Sequence, residues 1–249
     1  MARQKGIIKL KGTVGDITFY KSIDGYLARE KGGIEASRIA TDPAFVRTRE
    51  NNAEFGNATM AGKLLRDTVR ALSMNTADSR VTSRLTRILA KVKNMDTTSV
   101  RGERSVAAGI ATPAGKLLMK GFNFNIKAPL GAVLHKPYEL ITSNGEILIS
   151  PIVTMNDVSI PQGATHVIFK AGLAVVNFAT GDTELAVSTP ARFAIAPVQE
   201  DVDVVPTPAP TLTGIKFFLL CIEFVQAVNG ADYQLKNGAH NVLNIVEVL

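Results

Sequence analysis

The side chains of this 249-residue chain that could do chemistry are few and scattered. His135, His166 and His240 stand singly, with no Cys, His, Asp or Glu beside them at the spacing of a metal site. The one cysteine, Cys221, lies in the apolar run 217–222, which predicts a buried thiol rather than a nucleophile. We therefore expect no catalytic residue, no metal ligand and no cofactor, and the chain is predicted not to be an enzyme.

Sequence motifs of catalysis or nucleotide binding do not alter this expectation. Residues 12–16 (Gly-Thr-Val-Gly-Asp) are glycine-rich, but they have neither the lysine nor the strand-to-helix context of a phosphate-binding loop. The Gly-x-Ser-x-Gly pattern that presents a nucleophilic serine is absent from the sequence. The glycine-rich segment is interpreted as a connection between two strands.

A stripe of basic side chains on one predicted helix is the candidate binding feature. It consists of Arg80, Arg84, Arg87 and Lys91, which recur at helical spacing and could neutralise phosphates on a nucleic acid. However, the chain has no Trp, and its aromatic residues do not alternate with basic ones as stacking platforms for bases require. A nucleic-acid-binding or packaging accessory role through the basic half is therefore the alternative hypothesis.

The charge is distributed unevenly along the chain. Residues 1–127 hold 23 Lys and Arg against 11 Asp and Glu, a net charge of +12, whereas residues 128–249 hold 5 against 11, a net charge of −6. A hydrophobic content of 46% is typical of a folded protein. The opposite charges favour contact between the basic half of one copy and the acidic half of the next, and such head-to-tail contacts build rings or filaments.

The elements of the basic half are predicted to be a β-ribbon followed by helices. Strands over Gly6–Lys11 and Asp16–Lys21 precede an Asp-Gly turn, after which Tyr26–Arg29 returns antiparallel. Three helices follow: one from Asp42-Pro43 to about Leu72, one after Asp78, and one from Thr112-Pro113 to Gly121. A small ribbon is marginally stable alone, and the sequence leaves open whether it packs on its own helices or on a neighbouring subunit.

The acidic half is predicted to be an antiparallel β domain. A hairpin around Asn144-Gly145 joins Glu139–Ser143 to Glu146–Ser150, and residues 200–213 are predicted to be an exposed loop. The other predicted strands are Thr165–Lys170, Leu173–Phe178, Glu184–Ser188, Arg192–Ala196, Ile215–Val228 and Asn241–Leu249. The predicted fold class is α+β, with a ribbon-and-helix domain over 1–127 and a β-sandwich or barrel domain over 128–249.

Features of targeting are not apparent in the sequence. The N-terminal residues lack the apolar core of a signal peptide, and the longest apolar run, Phe217–Val228, is too short for a membrane span. We expect a product made soluble in the cytoplasm, which could end in a virion or a released particle.

Several strings in the basic half resemble a known group of proteins. They are residues 6–21 (GIIKLKGTVGDITFYK), 24–33 (DGYLAREKGG), 42–51 (DPAFVRTREN), 54–56 (EFG), 61–63 (AGK) and 101–104 (RGER). These strings look like uncharacterised proteins of Bacteroidetes bacteria and their phages. The resemblance covers about the first half of the chain and assigns no functional residue. No function is carried over from it, but the association with phages favours a virion or particle component.

The leading hypothesis is a structural protein that self-assembles into a particle, tube or filament, such as a capsid, head–tail or tail component. Its partners would be copies of itself and other particle proteins. The ribbon and the C-terminal strand are predicted to offer edges or packing faces to neighbours. The candidate contact residues are Ile7, Ile8, Leu10, Ile17, Phe19, Tyr20, Tyr26, Val242, Leu243 and Ile245.

Overall fold

The computed structural model describes residues 2–30 and 32–249, without the side chains of Lys236 and Asn237. The chain divides into two compact units, residues 1–49 and residues 50–249. In the described part of the chain, no helix has both the length and the apolar character needed to cross a membrane. The fold is α+β with an N-terminal β-ribbon, as the sequence predicts.

The ribbon is a four-stranded antiparallel sheet in the order β1-β4-β3-β2. Its strands are β1 (Ala2–Arg3), β2 (Gly12–Val14), β3 (Ile17–Ser22) and β4 (Gly25–Glu30). The predicted turn joins β3 to β4, and Gly25 adopts the positive φ of 104° that such a turn requires. Helix α1 (Ala36–Thr41) and a short 3-10 helix (Pro43–Phe45) follow the sheet.

The predicted strand over residues 6–11 is wrong, because the side chain of Gln4 occupies the backbone groups that this strand would use. The Gln4 carboxamide oxygen accepts from the Leu10 amide at 2.8 Å, and its nitrogen donates to the carbonyl oxygen of Leu10 at 3.3 Å. The same nitrogen donates to the Leu27 carbonyl oxygen at 3.1 Å, which ties the segment to β4. Residues 5–9 therefore form a closed loop, with Ile7 and Ile8 in a bend.

Two of the predicted side-chain caps occur, at the start of the 3-10 helix and at the start of the helix after Thr112. Thr112 accepts from the Gly115 amide at 3.0 Å, and Asp42 accepts from the Ala44 amide at 2.9 Å. The predicted helix to about Leu72 is interrupted at Val69. The helices are α2 (Val46–Thr68), α3 (Arg70–Ser73), α4 (Val81–Lys93), α5 (Val106–Ala111), α6 (Pro113–Met119), α7 (Leu130–Val133) and α8 (Thr154–Asp157).

The strands after residue 130 form a three-stranded and a seven-stranded antiparallel sheet. The smaller sheet consists of β5 (Glu139–Ile141), β6 (Glu146–Val153) and β10 (Gln199–Val204) in the order β10-β6-β5. The larger sheet contains β7 (His166–Val176), β8 (Thr183–Ser188), β9 (Ala191–Ala194), β11 (Pro206–Thr207), β12 (Ile215–Val228), β13 (Ala231–Gln234) and β14 (Val242–Val248).

Two strand predictions are corrected. Strand β7 runs without a break through Gly172, because this glycine serves close packing and not a turn: a Cβ atom there would lie 2.5 Å from Leu72 Cδ1. The predicted loop over 200–213 contains β10 and β11. Val202 and Val204 alternate with two aspartates and are buried, so this acidic stretch has the period of a half-buried strand.

The larger sheet is the middle of three layers. Its buried strand β12 carries apolar residues on both faces, and this explains the long apolar run in the sequence. Phe217, Leu219 and Cys221 pack with the helices on one side. Phe218 and Leu220 pack with the smaller sheet on the other side. The two sheets thus form a sandwich, and neither closes into a barrel within the described residues.

The predicted boundary at residue 127 lies inside the second compact unit, because helices and strands share one core there. The segment 121–124 before that boundary lies along β14. Its backbone makes hydrogen bonds from Gly121 N to the Ile245 oxygen at 2.7 Å and from Phe124 N to the Leu243 oxygen at 2.8 Å. A third bond runs from Ile245 N to the Phe122 oxygen at 2.9 Å.

Candidate assembly interface

One side of the ribbon, which we call the apolar face, carries five apolar side chains together with Lys21 and Glu30. The apolar residues are Val14, Ile17, Phe19, Tyr26 and Ala28. Side chains on a strand alternate between faces, so Ile17 and Phe19 of β3 point to the same side. The register places Val14 opposite Ile17, and Ala28 opposite Phe19. The pattern of alternating apolar residues in the sequence is therefore realised as a continuous surface.

This apolar face is accessible to solvent. Val14 is 67% exposed and Ile17 is 46% exposed. Of the residues described between 2 and 49, none is buried. An antiparallel sheet usually covers one of its faces with other parts of a protein, and a few strands without such cover are marginally stable in water. Val14 and Ile17 lack such a cover, whereas Phe19, Tyr26 and Ala28 are half-buried.

The loop over residues 5–9 adds further apolar surface. Ile7 is fully exposed, Ile8 is 81% exposed, and Leu10 at the end of the loop is half-exposed. The contacts of Gln4 described above close the loop, and Lys9 Nζ donates to the Gln4 carbonyl oxygen at 2.5 Å. The two isoleucines are thus presented by a loop with its own hydrogen bonds.

Two lysines lie at the Tyr26 end of the apolar face. Lys21 Nζ lies 5.7 Å from the centre of the Tyr26 ring, and Lys9 Nζ lies 6.0 Å from it, in the range of cation–π contacts. The opposite face is polar and carries Thr13 and Thr18, whose hydroxyls lie 3.2 Å apart. Residues 1–49 hold 10 Lys and Arg against 5 Asp and Glu, a net charge of +5. The ribbon therefore combines apolar surface with positive charge.

Tyr20 lies on the polar face, where the Arg29 guanidinium is 5.6 Å from the centre of its ring. A cavity of about 630 Å³ is lined by Ala2, Asp16, Ile17, Ala28, Arg29 and Glu30 at the end of the sheet. Of the predicted contact residues in the ribbon, Ile17, Phe19 and Tyr26 are thus brought onto one face. Ile7, Ile8 and Leu10 lie in or beside the loop.

The three predicted contact residues of the C-terminal strand lie elsewhere. Val242, Leu243 and Ile245 are fully buried. Strand β14 pairs with β12 on one side and with the segment 121–124 on the other, so it does not offer the open edge that the sequence analysis expects. A covered strand has neither side chains nor backbone groups free for a neighbour in the folded chain.

The basic stripe on α4 is divided by the structure. Arg80, Arg87 and Lys91 are exposed. Arg84 instead binds inward: its Nη2 lies 2.5 Å from Asp78 Oδ2 and donates to the Asn123 carbonyl oxygen at 2.8 Å. Its guanidinium also lies 5.0 Å from the centre of the Phe122 ring. Arg84 therefore has a structural role at this place, and its side chain is only 23% exposed.

The carboxyl group of Asp78 is held in its charged form by this cluster. Burial raises its pKa, but hydrogen bonds from the Arg80 amide, the Arg84 side chain and the Ile126 amide outweigh burial, and the net pKa is lowered. The bond from Arg80 N is 2.7 Å long and that from Ile126 N is 3.2 Å long. The cluster joins the start of α4 to the segment that leads into the strands.

A buried polar network surrounds Glu223. The only indication of it in the sequence is a charged residue inside an apolar run. Glu223 is 2% exposed and forms an ion pair with Lys170 at 2.7 Å. Asn75 Nδ2 donates to the other carboxylate oxygen at 3.1 Å. Burial raises the pKa of the neighbouring Cys221 thiol, so this cysteine is protonated, as expected for a packed thiol. With both oxygens bonded, Glu223 holds β12 to β7 and to the segment after α3.

A second buried ion pair joins Lys93 to Glu54. The hydrogen bond from Lys93 lowers the pKa of the Glu54 carboxyl, and the Gly102 amide donates to the same group at 2.8 Å. Nearby Asp96 accepts from the amides of Ser99 and Ser105, at 3.0 and 3.1 Å. These contacts hold the segment between α4 and α5 against α2.

The described residues contain no group of three or more His, Cys, Asp or Glu side chains that could hold a metal ion. The exposed features of the described chain that could serve a function are thus the apolar face of the ribbon with its loop, and the charged surfaces. No protein-family model, no curated protein and no solved structure matches the chain.

Proposed function

We propose that this protein is a non-enzymatic structural subunit that self-assembles through the apolar face of its N-terminal ribbon. The observation that carries the proposal is the exposure of Val14 and Ile17 on a hydrogen-bonded sheet in which no described residue is buried. Fully burying a Val, Ile or Phe side chain contributes about 1.5–3 kcal/mol. Covering the exposed Val14 and Ile17, and the parts of the half-buried Phe19, Tyr26 and Ala28 that still contact water, therefore supplies a driving force for association.

The proposed occupant of this face is a second copy of the chain. The uneven charge supports this choice, because copies with a basic and an acidic end attract one another in one orientation. The resemblance of residues 6–104 to proteins of Bacteroidetes bacteria and their phages supports a phage-like particle, tube or filament as the assembled form. The three buried residues of β14 have no part in the proposed contact.

The test replaces both members of one cross-strand pair on the apolar face, Val14→Asp with Ile17→Asp. Two buried charges would oppose association strongly, so the double variant is expected to be a monomer in light scattering, whereas the native protein is oligomeric. The matched control is Thr13→Asp with Thr18→Asp, the neighbouring pair on the polar face of the same strands. The control should assemble like the native protein. Assembly of the Val14/Ile17 variant at native strength would refute the proposal.

A further inference from the structure

The outer surface of the three-stranded sheet carries an unusual concentration of carboxylates. The inner side of this sheet is apolar and packs in the core, with Ile147, Ile149, Val202 and Val204 buried. Because side chains alternate along a strand, the residues between these positions point outward. The side chains that make the outer surface acidic are Glu139, Glu146, Asp201 and Asp203. We call this surface the acidic face.

The register of the three strands brings these carboxylates close to one another. Leu148 on the central strand pairs with Glu139 on one side and with Asp203 on the other. Asp201 accepts a hydrogen bond from the Ser150 hydroxyl, and Glu146 accepts from Asn144 Nδ2 at 2.9 Å. The acidic face is therefore a row of carboxylates around a partly exposed leucine on a rigid, hydrogen-bonded sheet.

The negative charge of the acidic face is not balanced by neighbouring cations. The ion pairs among the described side chains involve none of these four carboxylates. Burial raises the pKa of the Asp203 carboxyl, and the nearby Glu146 raises it further. Like charges side by side favour an external cationic surface, and the chain itself has one in the ribbon, whose residues 2–30 hold 6 Lys and Arg against 3 Asp and Glu, a net charge of +3.

We propose that the acidic face of one copy is the surface on which the ribbon of the next copy docks. This inference rests on the proposed function and names the partner surface for the apolar face. Lys9 and Lys21 of the ribbon are exposed beside Tyr26 of the apolar face, so they can meet the carboxylates while Leu148 meets apolar groups. Each copy then has one donor and one acceptor surface, which produces rings or open filaments.

Charge also disfavours the simplest alternative, a symmetric contact between two ribbons. Such a contact brings two ribbons of net charge +3 together, and like charges across an interface oppose association. Contact between the ribbon and the acidic face instead pairs opposite charges. In a filament built this way, both surfaces of every inner copy are covered.

The test uses two variants that each lack one side of the contact. The ribbon variant carries Val14→Asp and Ile17→Asp, and the acceptor variant carries Asp201→Lys and Asp203→Lys. Each alone is expected to be a monomer of 26.6 kDa by light scattering. An equimolar mixture is expected to form a dimer that grows no further, since the ribbon variant keeps its acidic face and the acceptor variant keeps its ribbon.

Each result separates this inference from the proposed function. If the acceptor variant assembles as the native protein does, the inference is wrong and the proposed function stands. Monomeric variants that stay monomeric when mixed, while both keep native circular dichroism, would overturn the donor–acceptor pairing. If the ribbon variant still assembles, or the native protein is monomeric, the proposed function fails and the inference falls with it.

Two controls address net charge and folding. The pair Asp67→Lys and Glu103→Lys makes the same charge change at exposed positions away from the acidic face, and it should leave assembly intact. Loss of assembly in this control would count against the acidic face, because it would show a dependence on total charge alone. Asp201→Asn with Asp203→Asn keeps the size of both side chains and should weaken association at least tenfold; unchanged association would contradict the inference.

Discussion

Arg84 illustrates how one residue of a charged stripe becomes part of the fold. Its guanidinium contacts the Asp78 carboxylate and the carbonyl oxygen of Asn123, and it covers the ring of Phe122. Asp78 in turn receives the backbone amide of Ile126. The two side chains thus fix where the chain passes from the helices to the strands. An unpaired charge left at this place would be costly, because burying an ion without its partner is unfavourable.

We predict that Arg84→Ala lowers the free energy of unfolding by about 3 kcal/mol, since it leaves the carboxylate of Asp78 without its ion partner. The matched control is Arg87→Ala, which removes an exposed arginine from the same helix and should change stability by less than about 0.5 kcal/mol. Urea denaturation followed by circular dichroism measures both. Equal stabilities of the two variants would show that the Asp78 contact contributes nothing.

The sequence alone could not distinguish these two arginines. Both lie at helical spacing in the same stripe, and the difference arises from Asn123 and Phe122, which lie far away along the chain. The exposure of Arg80, Arg87 and Lys91 agrees with a surface stripe, but a test of nucleic-acid binding by charge reversal should spare Arg84. A reversed charge there would disrupt the fold as well as the surface.

At the scale of elements, two glycines allow the short helices to pack backbone against backbone. A Cβ atom on Gly109 of α5 would lie 2.0 Å from the Val92 carbonyl oxygen of α4. A Cβ atom on Gly115 of α6 would lie 2.0 Å from the Gly109 carbonyl oxygen. Atoms cannot approach this closely, and backbone cannot move aside as a flexible side chain can. The packing of α4, α5 and α6 therefore requires glycine at both positions.

We predict that Gly109→Ala lowers the free energy of unfolding by about 3 kcal/mol, the upper part of the usual range for overpacking. Gly56→Ala makes the same chemical change inside α2, where a Cβ atom would meet nothing within 4 Å. It should raise stability by up to about 1 kcal/mol, because alanine favours the helix over glycine. Thermal unfolding of both variants decides this, and a stable Gly109→Ala protein would contradict the packing described here.

Elements marked by local chemistry were predictable, and elements determined by distant contacts were not. The Asp24-Gly25 and Asn144-Gly145 turns and the caps at Asp42 and Thr112 are encoded within a few residues, and all four occur in the structure. The sequence predicts a break in β7 at Gly172, and this prediction is wrong. A glycine that leaves room for a neighbouring side chain, here Leu72, cannot be distinguished in sequence from a glycine in a turn. The closed loop over 5–9 depends on hydrogen bonds from the side chain of Gln4. Secondary-structure propensity does not predict such bonds.

The whole molecule combines a well-packed unit with a unit that has no buried residue among those described. Residues 50–249 bury two hydrophobic clusters on either side of the larger sheet. The ribbon unit has no buried residue among those described, and a partner that covered its apolar face would bury apolar side chains that now contact water. The sequence shows that residues 128–249 carry a net negative charge. The structure shows that four of these carboxylates lie together on the acidic face, and composition alone could not predict this position.

The measurement that tests the central claim most directly is light scattering of the purified full-length protein across concentration, at low and high salt, with the absorbance ratio that reveals nucleic acid. We predict a mass several times 26.6 kDa that rises with concentration, falls in high salt and carries no nucleic acid. A mass of 26.6 kDa under all conditions would contradict self-assembly. A monomer bound to nucleic acid that salt removes would contradict it too, and would instead support the exposed basic residues of α4 as the functional surface.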